Sequence, residues 1–478
     1  MSPYPYWMIG SGDTAWQLTA GTLVGLMSIP ALAVLYGGLV QKKWIMNTMM
    51  MVFVTFCLVL ITWVLWAYKM GFGTPLVGQF VGDPRTVLGA NALTGQAGIP
   101  NLDNAASMPT LSRGGYFNFP GAALVYFQFV FAAITPILFI GSVLGRISFK
   151  VWVIFVPLWI TFAYAVNAFM LWGGGYWAQK GALDFSGGYV IHLAAGVSGF
   201  TAAAIVGPRL QKDREKAIPS NLMMVAVGAG ILWLGWNGFN GGDPYFASSD
   251  AAAAVVNTNL ATATAMLVWI FMDWWFSKEK KPTFLGGLNG MICGLVGITP
   301  AAGYVNGLGA MIIGVVCPVV VWAAWYTLPK YVWPFNKVDD ALGVVYTHGI
   351  AGLLGGLLVG CLADPNMIEY FGPKGTAAGG FGGAGAFYGD PHRLLIQFLA
   401  ALTIIVWDAF VTAAILYFIK YVLRLNLRSP DAILEVGDVA IHGEEAFPEM
   451  AFLSATAEAE ASPSTQQPIP TATVSAEE

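Results

Sequence analysis

Residues Trp172–Gly196 read WGGGYWAQKGALDFSGGYVIHLAAG, a stretch that places the carboxylate of Asp184 and the imidazole of His192 at the start of an apolar run. Charge and imidazole are expensive in an apolar environment and are functional candidates when they lie within a membrane. What this stretch means therefore depends on whether the surrounding chain spans a bilayer.

The rest of the chain is strongly apolar. Of its 478 residues, 57% are hydrophobic and 10% are charged, whereas an ordinary soluble domain has about 25% charged residues. Apolar runs recur roughly every 30 residues, and each approaches the roughly 20 residues that cross a bilayer as a helix. A membrane β-barrel would instead show short segments of alternating polarity. The sequence therefore predicts an all-α polytopic membrane protein.

We predict eleven transmembrane helices. Glycine and proline interrupt the region that contains the eighth and ninth, in ITPAAGYVNGLG. The predicted spans are 14–39, 44–69, 118–143, 151–172, 189–207, 221–240, 251–276, 283–302, 303–329, 343–362 and 393–421.

The basic residues indicate an orientation. With the N-terminus outside, sixteen of the 22 lysines and arginines fall in inner segments and six in outer ones, which agrees with the positive-inside rule. The C-terminus is then cytoplasmic. We assign residues 1–425 to the transmembrane domain and 426–447 to a cytoplasmic segment. Residues 448–478 are rich in Ala, Ser, Thr, Pro and Glu, and we expect them to be disordered.

Two histidines suggest an internal repeat. His192 follows Asp184 by eight residues, and His348 follows Asp340 by the same interval. Helix five enters from outside and helix ten from inside, so two five-helix halves would be inverted, as in many transporters. Eight helical residues rise about 12 Å, which brings both rings close to the middle of a roughly 30 Å core. The alternatives are chance spacing and histidines that each bond only to local backbone.

Aromatic residues gather near the predicted outer ends of helices. They are Phe127, Phe131, Trp172 and Phe239, with the carboxylate of Asp243 nearby. An aromatic face attracts a cation by about 0.5–2 kcal/mol, and a carboxylate would strengthen that attraction. Core packing or an aromatic belt at the lipid interface explains the same residues. Composition alone leaves both interpretations open.

Enzymatic chemistry has little support in this sequence. The four cysteines lie in apolar runs without paired spacing, HExxH is absent, and neither a serine nor a cysteine is paired with a base. These patterns are the usual signatures of metal sites and nucleophiles. We therefore predict a protein that is not an enzyme and has no cofactor or bound metal.

Nine stretches together resemble the ammonium transporter family (Amt/Mep/Rh), on its Amt branch, over about residues 12–446. The combination of WGGG with GALDFSGGYVIH is especially specific. The stretches are GDTAWQL, PALAVLYGGLV, FQFVFAAIT, MLWGGG, GALDFSGGYVIH, GWNGFNGG, NTNLATATAMLVWIFMDW, GLVGITPAAGYV and THGIAG.

This resemblance implies a homotrimer of eleven-helix subunits in the plasma (inner) membrane, each with its own pore for ammonium or methylammonium. Phe131 and Trp172 would form an external ammonium site that Asp184 shapes. Phe131 and Phe239 would be a stacked gate below that site. His192 and His348 would line the hydrophobic pore, through which ammonia would pass after deprotonation, with or without a separate proton.

Two features depart from the family pattern. Many relatives have a serine after GFNGG where this chain has Asp243. Asp243 would either raise ammonium capture or cap the next helix, since aspartate is a common N-cap. The segment GDVAIHGEEAF at 437–447 resembles the cytoplasmic region that meets PII signal-transduction proteins, so regulation by PII is expected. The longer tail that follows has no counterpart in the pattern.

Other functions predict many of the same pore residues. An ammonium sensor with little net transport would signal through its tail, although no output domain of recognisable length follows the helices. A channel for water or small solutes would differ in its flux of ammonium, methylammonium and water. Of these alternatives, the sensor is the runner-up to transport.

Overall fold

The computed structural model describes residues 9–100, 116–367 and 384–447, and these ranges are almost entirely helical. Within them, ten helices are long and apolar enough to cross a membrane, and one further apolar helix is shorter. In chain order they are α1 (Ser11–Leu39), α2 (Lys42–Phe72), α3 (Gly121–Val143), α4 (Phe149–Gln179), α5 (Gly188–Val206), α6 (Leu222–Gly242), α7 (Ser249–Phe276), α8 (Phe284–Ile298), α9 (Gly307–Tyr331), α10 (Val345–Leu362) and α11 (His392–Val422).

The prediction of a polytopic helical membrane protein is confirmed. The predicted count of eleven full-length spans is not confirmed, because ten of the helices in the described residues are long enough and the other, α8, is shorter. The predicted helix 283–302 is shorter in the structure, where α8 has 15 residues. It ends because Pro300 follows within two residues and the chain then turns through Ala301 and Tyr304. Proline has no backbone N–H, so Pro300 cannot donate the hydrogen bond that would continue the helix. The inverted five-plus-five repeat, with α11 as the final long helix, stays a prediction.

Helix α3 lies deepest in the bundle. In the 18-residue apolar stretch of α3, 94% of the residues are buried. In the corresponding stretches of α7 and α11, 33% are buried. A helix that is apolar on all sides must be surrounded by other helices or by lipid. Because protein surrounds α3, the aromatic side chains of its outer half point into the protein interior.

Beside the bundle, the described residues between α2 and α3 form two short antiparallel strand pairs. β1 (Pro75–Val77) pairs with β2 (Val81–Gly82), and β3 (Gln96–Gly98) pairs with β4 (Tyr116–Pro120), both antiparallel. Strand β4 leads directly into α3. The hairpin therefore holds the outer end of the helix that carries Phe127 and Phe131.

The C-terminal segment 426–447 folds back onto the bundle. Two short helices, Asp431–Val436 and Asp438–His442, lie against the start of α2. The carboxylate of Asp438 accepts backbone hydrogen bonds from Met46 (2.8 Å) and Asn47 (2.9 Å). Carboxylates are favourable at a helix N-terminus because they satisfy its free N–H groups. The tail predicted to be disordered, 448–478, lies outside the described residues.

Candidate functional site

A continuous column of rings runs through the middle of the bundle. Phe131 and Phe239 stack with their centroids 4.2 Å apart and their planes within 14°. Trp172 lies edge-on to Phe131 at 6.2 Å. On the other side of the pair, the ring of His192 lies 5.9 Å from that of Phe239. The aromatic residues and the first histidine lie far apart in the sequence. In the structure they form one row, in the order Trp172, Phe131, Phe239, His192.

The two histidines meet, as the repeated spacing predicts. Their ring centroids are 5.4 Å apart, and Nδ1 of His348 lies 3.2 Å from Nδ1 of His192. One ring must donate this hydrogen bond and the other must accept it. The bond leaves the Nε2 atoms directed elsewhere, and Nε2 of His192 is buried without a partner among the described residues. The alternative in which each histidine bonds only to local backbone is wrong.

The eight-residue interval between aspartate and histidine has a structural cause. Asp184 accepts hydrogen bonds from the backbone N–H groups of Tyr189 and Val190, both at 3.0 Å. Asp340 accepts one from Val345 at 2.8 Å. Each carboxylate therefore satisfies the free donors where a helix begins, and the histidine follows within that first segment.

Both helices begin with a wide, π-helical turn, Gly188–Leu193 in α5 and Val345–Ile350 in α10. Such turns are rare and are frequent at functional sites. They displace the side chains that they carry relative to an ordinary α-helix. Each of the two histidines lies in one of these turns.

Glycines allow the two helices to approach closely. A Cβ atom on Gly196 would lie 2.2 Å from Cα of Gly349, far inside normal contact. One on Gly352 would lie 2.6 Å from the carbonyl oxygen of Gly188. Only residues without a side chain permit this backbone-to-backbone packing. The crossing of α5 and α10 thus fixes the distance between the histidine rings.

Asp184 organises the outer end of the site through its backbone as well as its carboxylate. Its carbonyl oxygen accepts a 2.7 Å hydrogen bond from Nε1 of Trp172, which orients the indole toward Phe131. Burial raises the pKa of the Asp184 carboxyl to about 6, while the backbone N–H groups of residues 187–190 hold it lower than burial alone would. A carboxylate that accepts several N–H bonds is stabilised in its charged form.

Asp243 is the C-cap residue of α6, four residues beyond Phe239. It is 5% exposed, and the hydroxyl groups of Ser186 and Tyr245 face it. It does not cap the next helix, because α7 has Ser248 at its N-cap position. The capping alternative is therefore wrong, and the carboxylate lies at the same end of the column as Phe131 and Trp172.

Sequence reasoning missed Trp236. Its ring stacks on His192 at 5.3 Å, and its Nε1 donates to Oγ1 of Thr299 at 2.9 Å. The signal was present in GWNGFNGG, because residues 236, 239 and 243 have the 3- and 4-residue spacing of one helix face. That face carries Trp236, Phe239 and Asp243 from the histidines toward the outside.

Tyr245 and Gln128 were also missed. Gln128 Nε2 donates to the Tyr245 hydroxyl at 2.8 Å, and both side chains are buried. Tyr245 has φ of 63°, a left-handed conformation that is uncommon for a residue with a side chain. Backbone strain of this kind tends to occur at functional sites. No spacing pattern in the sequence indicates a tyrosine in this conformation.

Comparison with known proteins gives a consistent result. A family model for the Ammonium Transporter Family matches residues 15–447. The chain is 48% identical to ammonium transporter 3 member 2 of Oryza sativa subsp. japonica, over 92% of this chain and 90% of that protein. It is 46% identical to ammonium transporter 2 of Arabidopsis thaliana, over 93% and 89%.

Solved structures share the fold. Saccharomyces cerevisiae Mep2 aligns with a TM-score of 0.74 and 26% identity, over 89% of each chain. Candida albicans Mep2 aligns with a TM-score of 0.75 and 27% identity, over 98% of this chain and 95% of that one. The relatives carry the names of transport proteins rather than enzymes. This chain belongs to the ammonium transporter family.

Proposed function

We propose that this protein transports ammonium across a membrane, and that the column of rings is its path. The observation that carries the proposal is the order of the buried side chains. A tryptophan and a stacked phenylalanine pair lie on one side, and the hydrogen-bonded histidine pair continues inward from them. Membership of the family and the names of the plant relatives support the same substrate.

The proposed roles follow from charge and polarity. Phe131, Trp172, Asp184 and Asp243 recruit the cation, because aromatic faces and carboxylates both attract positive charge. Phe131 and Phe239 form the gate. Beyond it the path is apolar, which favours neutral ammonia over any cation, since an unpaired charge is costly to bury.

Deprotonation also explains selectivity. Potassium resembles ammonium in size and charge but has no proton to lose, so a path for a neutral molecule excludes it. His192 and His348 line this path and offer nitrogen atoms that can accept or donate hydrogen bonds to ammonia.

Methylammonium uptake tests the proposal. We would reconstitute the full-length protein in liposomes and measure initial uptake by wild type, His192→Ala and Asp184→Ala. We expect the wild type to take up methylammonium. His192→Ala should reduce uptake because it changes the path itself. Asp184→Ala should reduce uptake because it removes both the charge that recruits the cation and the hydrogen bonds to the first N–H groups of α5. His392→Ala is the matched control, because this histidine is exposed at the start of α11.

Two outcomes separate the alternatives. Wild-type protein that binds methylammonium without net uptake contradicts transport and favours the sensor. Uptake that survives unchanged in His192→Ala, with the variant folded, contradicts the proposed path through the histidines.

We also propose the arrangement of the protein in the cell: a homotrimer in the plasma membrane with its N-terminus outside and C-terminus inside. The distribution of lysine and arginine supports the orientation. Many large apolar side chains remain exposed on α7 and α9, including Trp275 and Leu308, and these must face lipid or another subunit. Native mass spectrometry of the detergent complex checks the trimer, and a C-terminal reporter enzyme checks the orientation.

Residues 426–447 are proposed as the regulatory segment of the transmembrane domain formed by 1–425, and as part of the surface that a PII protein contacts. The two short helices contact the start of α2, which gives such a partner a route to the bundle. Co-purification of a PII protein with full-length chain, but not with a chain ending at residue 425, tests this proposal.

A further inference from the structure

We propose that the carboxylate of Asp243 is the base that takes the proton from ammonium at the outer mouth. This inference rests on the proposed transport function and assigns its first chemical step to one side chain. The position is a departure from the family pattern, in which a serine is common. A serine hydroxyl can contact a cation but is a poor proton acceptor at neutral pH.

Asp243 is the one of the two carboxylates, Asp184 and Asp243, that does not hold the backbone N–H groups at the start of α5. Asp184 uses Oδ1 to accept from Gly187 and Oδ2 to accept from Tyr189 and Val190. Protonating it would weaken the bonds that start α5. Asp243, in contrast, accepts no backbone hydrogen bond among the described residues: its hydrogen-bonding neighbours are the hydroxyls of Ser186 and Tyr245, and its buried Oδ2 has no partner at full hydrogen-bond geometry. An unpartnered buried oxygen is rare and calls for an explanation.

The surroundings of Asp243 suit a cation. The groups that influence its charge are Asp184 and the hydroxyls of Ser186 and Tyr245. Neither a lysine nor an arginine is among them, and Asp243 forms no ion pair within the described ranges. A buried carboxylate normally needs a positive partner. Ammonium itself would supply one.

The position of Asp243 matches the proposed step. It lies four residues beyond Phe239 along α6, so about one helical turn separates the carboxylate from the gate. Gly242 beside it packs closely on Phe127, since a Cβ there would lie 2.4 Å from that ring. A cation at this level contacts the aromatic rings and the carboxylate before it reaches the phenylalanine pair.

The step balances without any other reactant. One N–H bond of ammonium breaks, its electron pair stays on nitrogen, and an O–H bond forms on Asp243 Oδ2. Neutral ammonia then passes the gate. The carboxylic acid returns its proton to water on the outer side, and the carboxylate is regenerated for the next cation.

The acidity of the site is consistent with this role. Burial raises the pKa of Asp243 well above its ordinary value, while the Ser186 and Tyr245 hydroxyls act in the opposite direction and the negative charge of Asp184 adds to the rise. A raised pKa means that the carboxylate has a stronger affinity for a proton than an exposed aspartate has. The other titratable groups that sense Asp243 are the phenols of Tyr164 and Tyr304.

The test separates proton acceptance from simple capture. We would measure methylammonium uptake against concentration and pH for full-length wild type, Asp243→Asn, Asp243→Ser and Asp243→Glu. Asn and Ser can still contact the cation but cannot accept its proton, whereas Glu can. We expect the maximal rate to fall at least about tenfold in Asp243→Asn and Asp243→Ser, as for loss of a general base, and to be partly restored in Asp243→Glu.

The pH profile supplies the second readout. The wild-type maximal rate should rise with pH as the carboxyl loses its proton, and this rise should be absent in Asp243→Asn and Asp243→Ser. If those two variants keep the wild-type maximal rate and change only the half-saturating concentration, Asp243 captures the cation without accepting its proton and the inference is overturned. Wild type without any uptake contradicts the transport function instead. Should the Asn variant misfold, the Ser and Glu variants carry the same comparison.

Discussion

Trp236 stacks on His192 and so limits the orientation of one ring of the histidine pair. Its indole stacks on His192 and its Nε1 hydrogen-bonds to Thr299, whose own hydroxyl donates to the carbonyl of Leu295. The ring of His192 is therefore held between Trp236 on one side and His348 on the other. The orientation of the His192 ring therefore depends on Trp236 in α6 and, through it, on Thr299 at the end of α8.

We expect Thr299→Val to lower both stability and transport. The substitution keeps the shape of the side chain but leaves the buried Trp236 N–H without an acceptor, which costs about 1–3 kcal/mol. Thermal unfolding in detergent and methylammonium uptake measure the two effects. Thr299→Ser, which keeps the hydroxyl, is the control. Equal behaviour of the Val and Ser variants would show that the hydrogen bond to Trp236 has no role.

A second residue-scale prediction concerns acid stability. Arg209 holds Asp339 through Nη2 at 2.7 Å and Nε at 3.0 Å. Burial raises the pKa of Asp339, but the bonds to and charge of Arg209, together with Arg146, outweigh it, so the pKa lies below its ordinary value. The folded state therefore favours the carboxylate, and stability that is present above about pH 4 is lost as the pH falls through the lowered pKa.

Asp339→Asn should remove this stabilisation at neutral pH. The unfolding temperature of the variant should therefore fall less than that of the wild type as the pH is lowered. Unfolding temperatures between pH 3 and pH 7 check the prediction. Parallel curves for wild type and variant, separated by a constant amount, would contradict a contribution from the charge of Asp339.

At the scale of elements, the crossing of α5 and α10 yields a graded prediction. Gly196→Ala should separate the two helices, because the new Cβ atom would lie 2.2 Å from Gly349 Cα. The 3.2 Å contact between the histidines depends on that crossing, so transport should fall severely. Gly349→Ala should be milder, since its Cβ atom would lie 3.3 Å from Gly196 Cα.

Gly230→Ala is the matched control, because a Cβ atom there meets nothing within 4 Å. It should leave uptake unchanged and slightly favour the helix. Uptake assays on all three variants, normalised to folded protein, give the order. The loss of uptake should be greatest in Gly196→Ala, smaller in Gly349→Ala and absent in Gly230→Ala. Any other order would contradict the explanation by close packing of α5 and α10.

A buried polar pair joins α4 to α11. Both carboxylate oxygens of Asp408 lie 2.9 Å from Nδ2 of Asn167, and both residues are fully buried. Removing one partner leaves the other unsatisfied, whereas replacing both with apolar residues of similar size can be nearly neutral. We expect Asn167→Leu to destabilise the protein by about 3 kcal/mol or more, and Asn167→Leu with Asp408→Leu to recover most of that loss. Additive effects in thermal unfolding would show that the pair is not coupled.

At the scale of the whole molecule, the C-terminal segment 426–447 links distant parts of the chain. Lys43 Nζ donates to the carbonyl of Leu434 at 2.8 Å and pairs with Asp213 at 3.0 Å. The backbone N–H of Ser429 donates to the carbonyl of Arg146 at 2.9 Å. Glu435 also forms an ion pair with Lys212, so the segment contacts the start of α2 and the connections that carry Arg146 and Lys212.

Ending the chain at residue 425 should lower both the unfolding temperature and the rate of uptake, because α2 loses the carboxylate of Asp438 from its first turn. A cap of this kind contributes about 0.5–2 kcal/mol. A chain ending at residue 447 is the control and should behave as wild type. Asp438→Ala within the full chain should reproduce part of the effect, and if it does not, the cap does not carry the coupling.

How much of the fold and of the site the sequence predicts depends on whether the interactions are local or join distant parts of the chain. Hydropathy predicts the helices because burial in lipid acts on each segment alone, and the exception is α8, where Pro300 shortens the helix. The equal Asp–His intervals correctly predict that His192 and His348 meet. Trp236, Tyr245 and the contact of Gly196 with Gly349 depend on helix packing, which local spacing does not encode.

The histidine contact also gives the pore a polarity. While both rings are neutral, the ring that donates its Nδ1 proton exposes a bare Nε2, and the ring that accepts must carry its proton on Nε2. The two Nε2 atoms of the neutral pair are therefore one acceptor and one donor, never two of a kind, and the proposed path would present both to ammonia. Ammonia has a lone pair and three N–H groups, so it must turn over as it moves from one ring to the next. Reversing this order with both rings neutral takes two proton movements: the Nδ1 proton passes from one ring to the other, the receiving ring gives up its Nε2 proton, and the first ring gains a proton on its own Nε2.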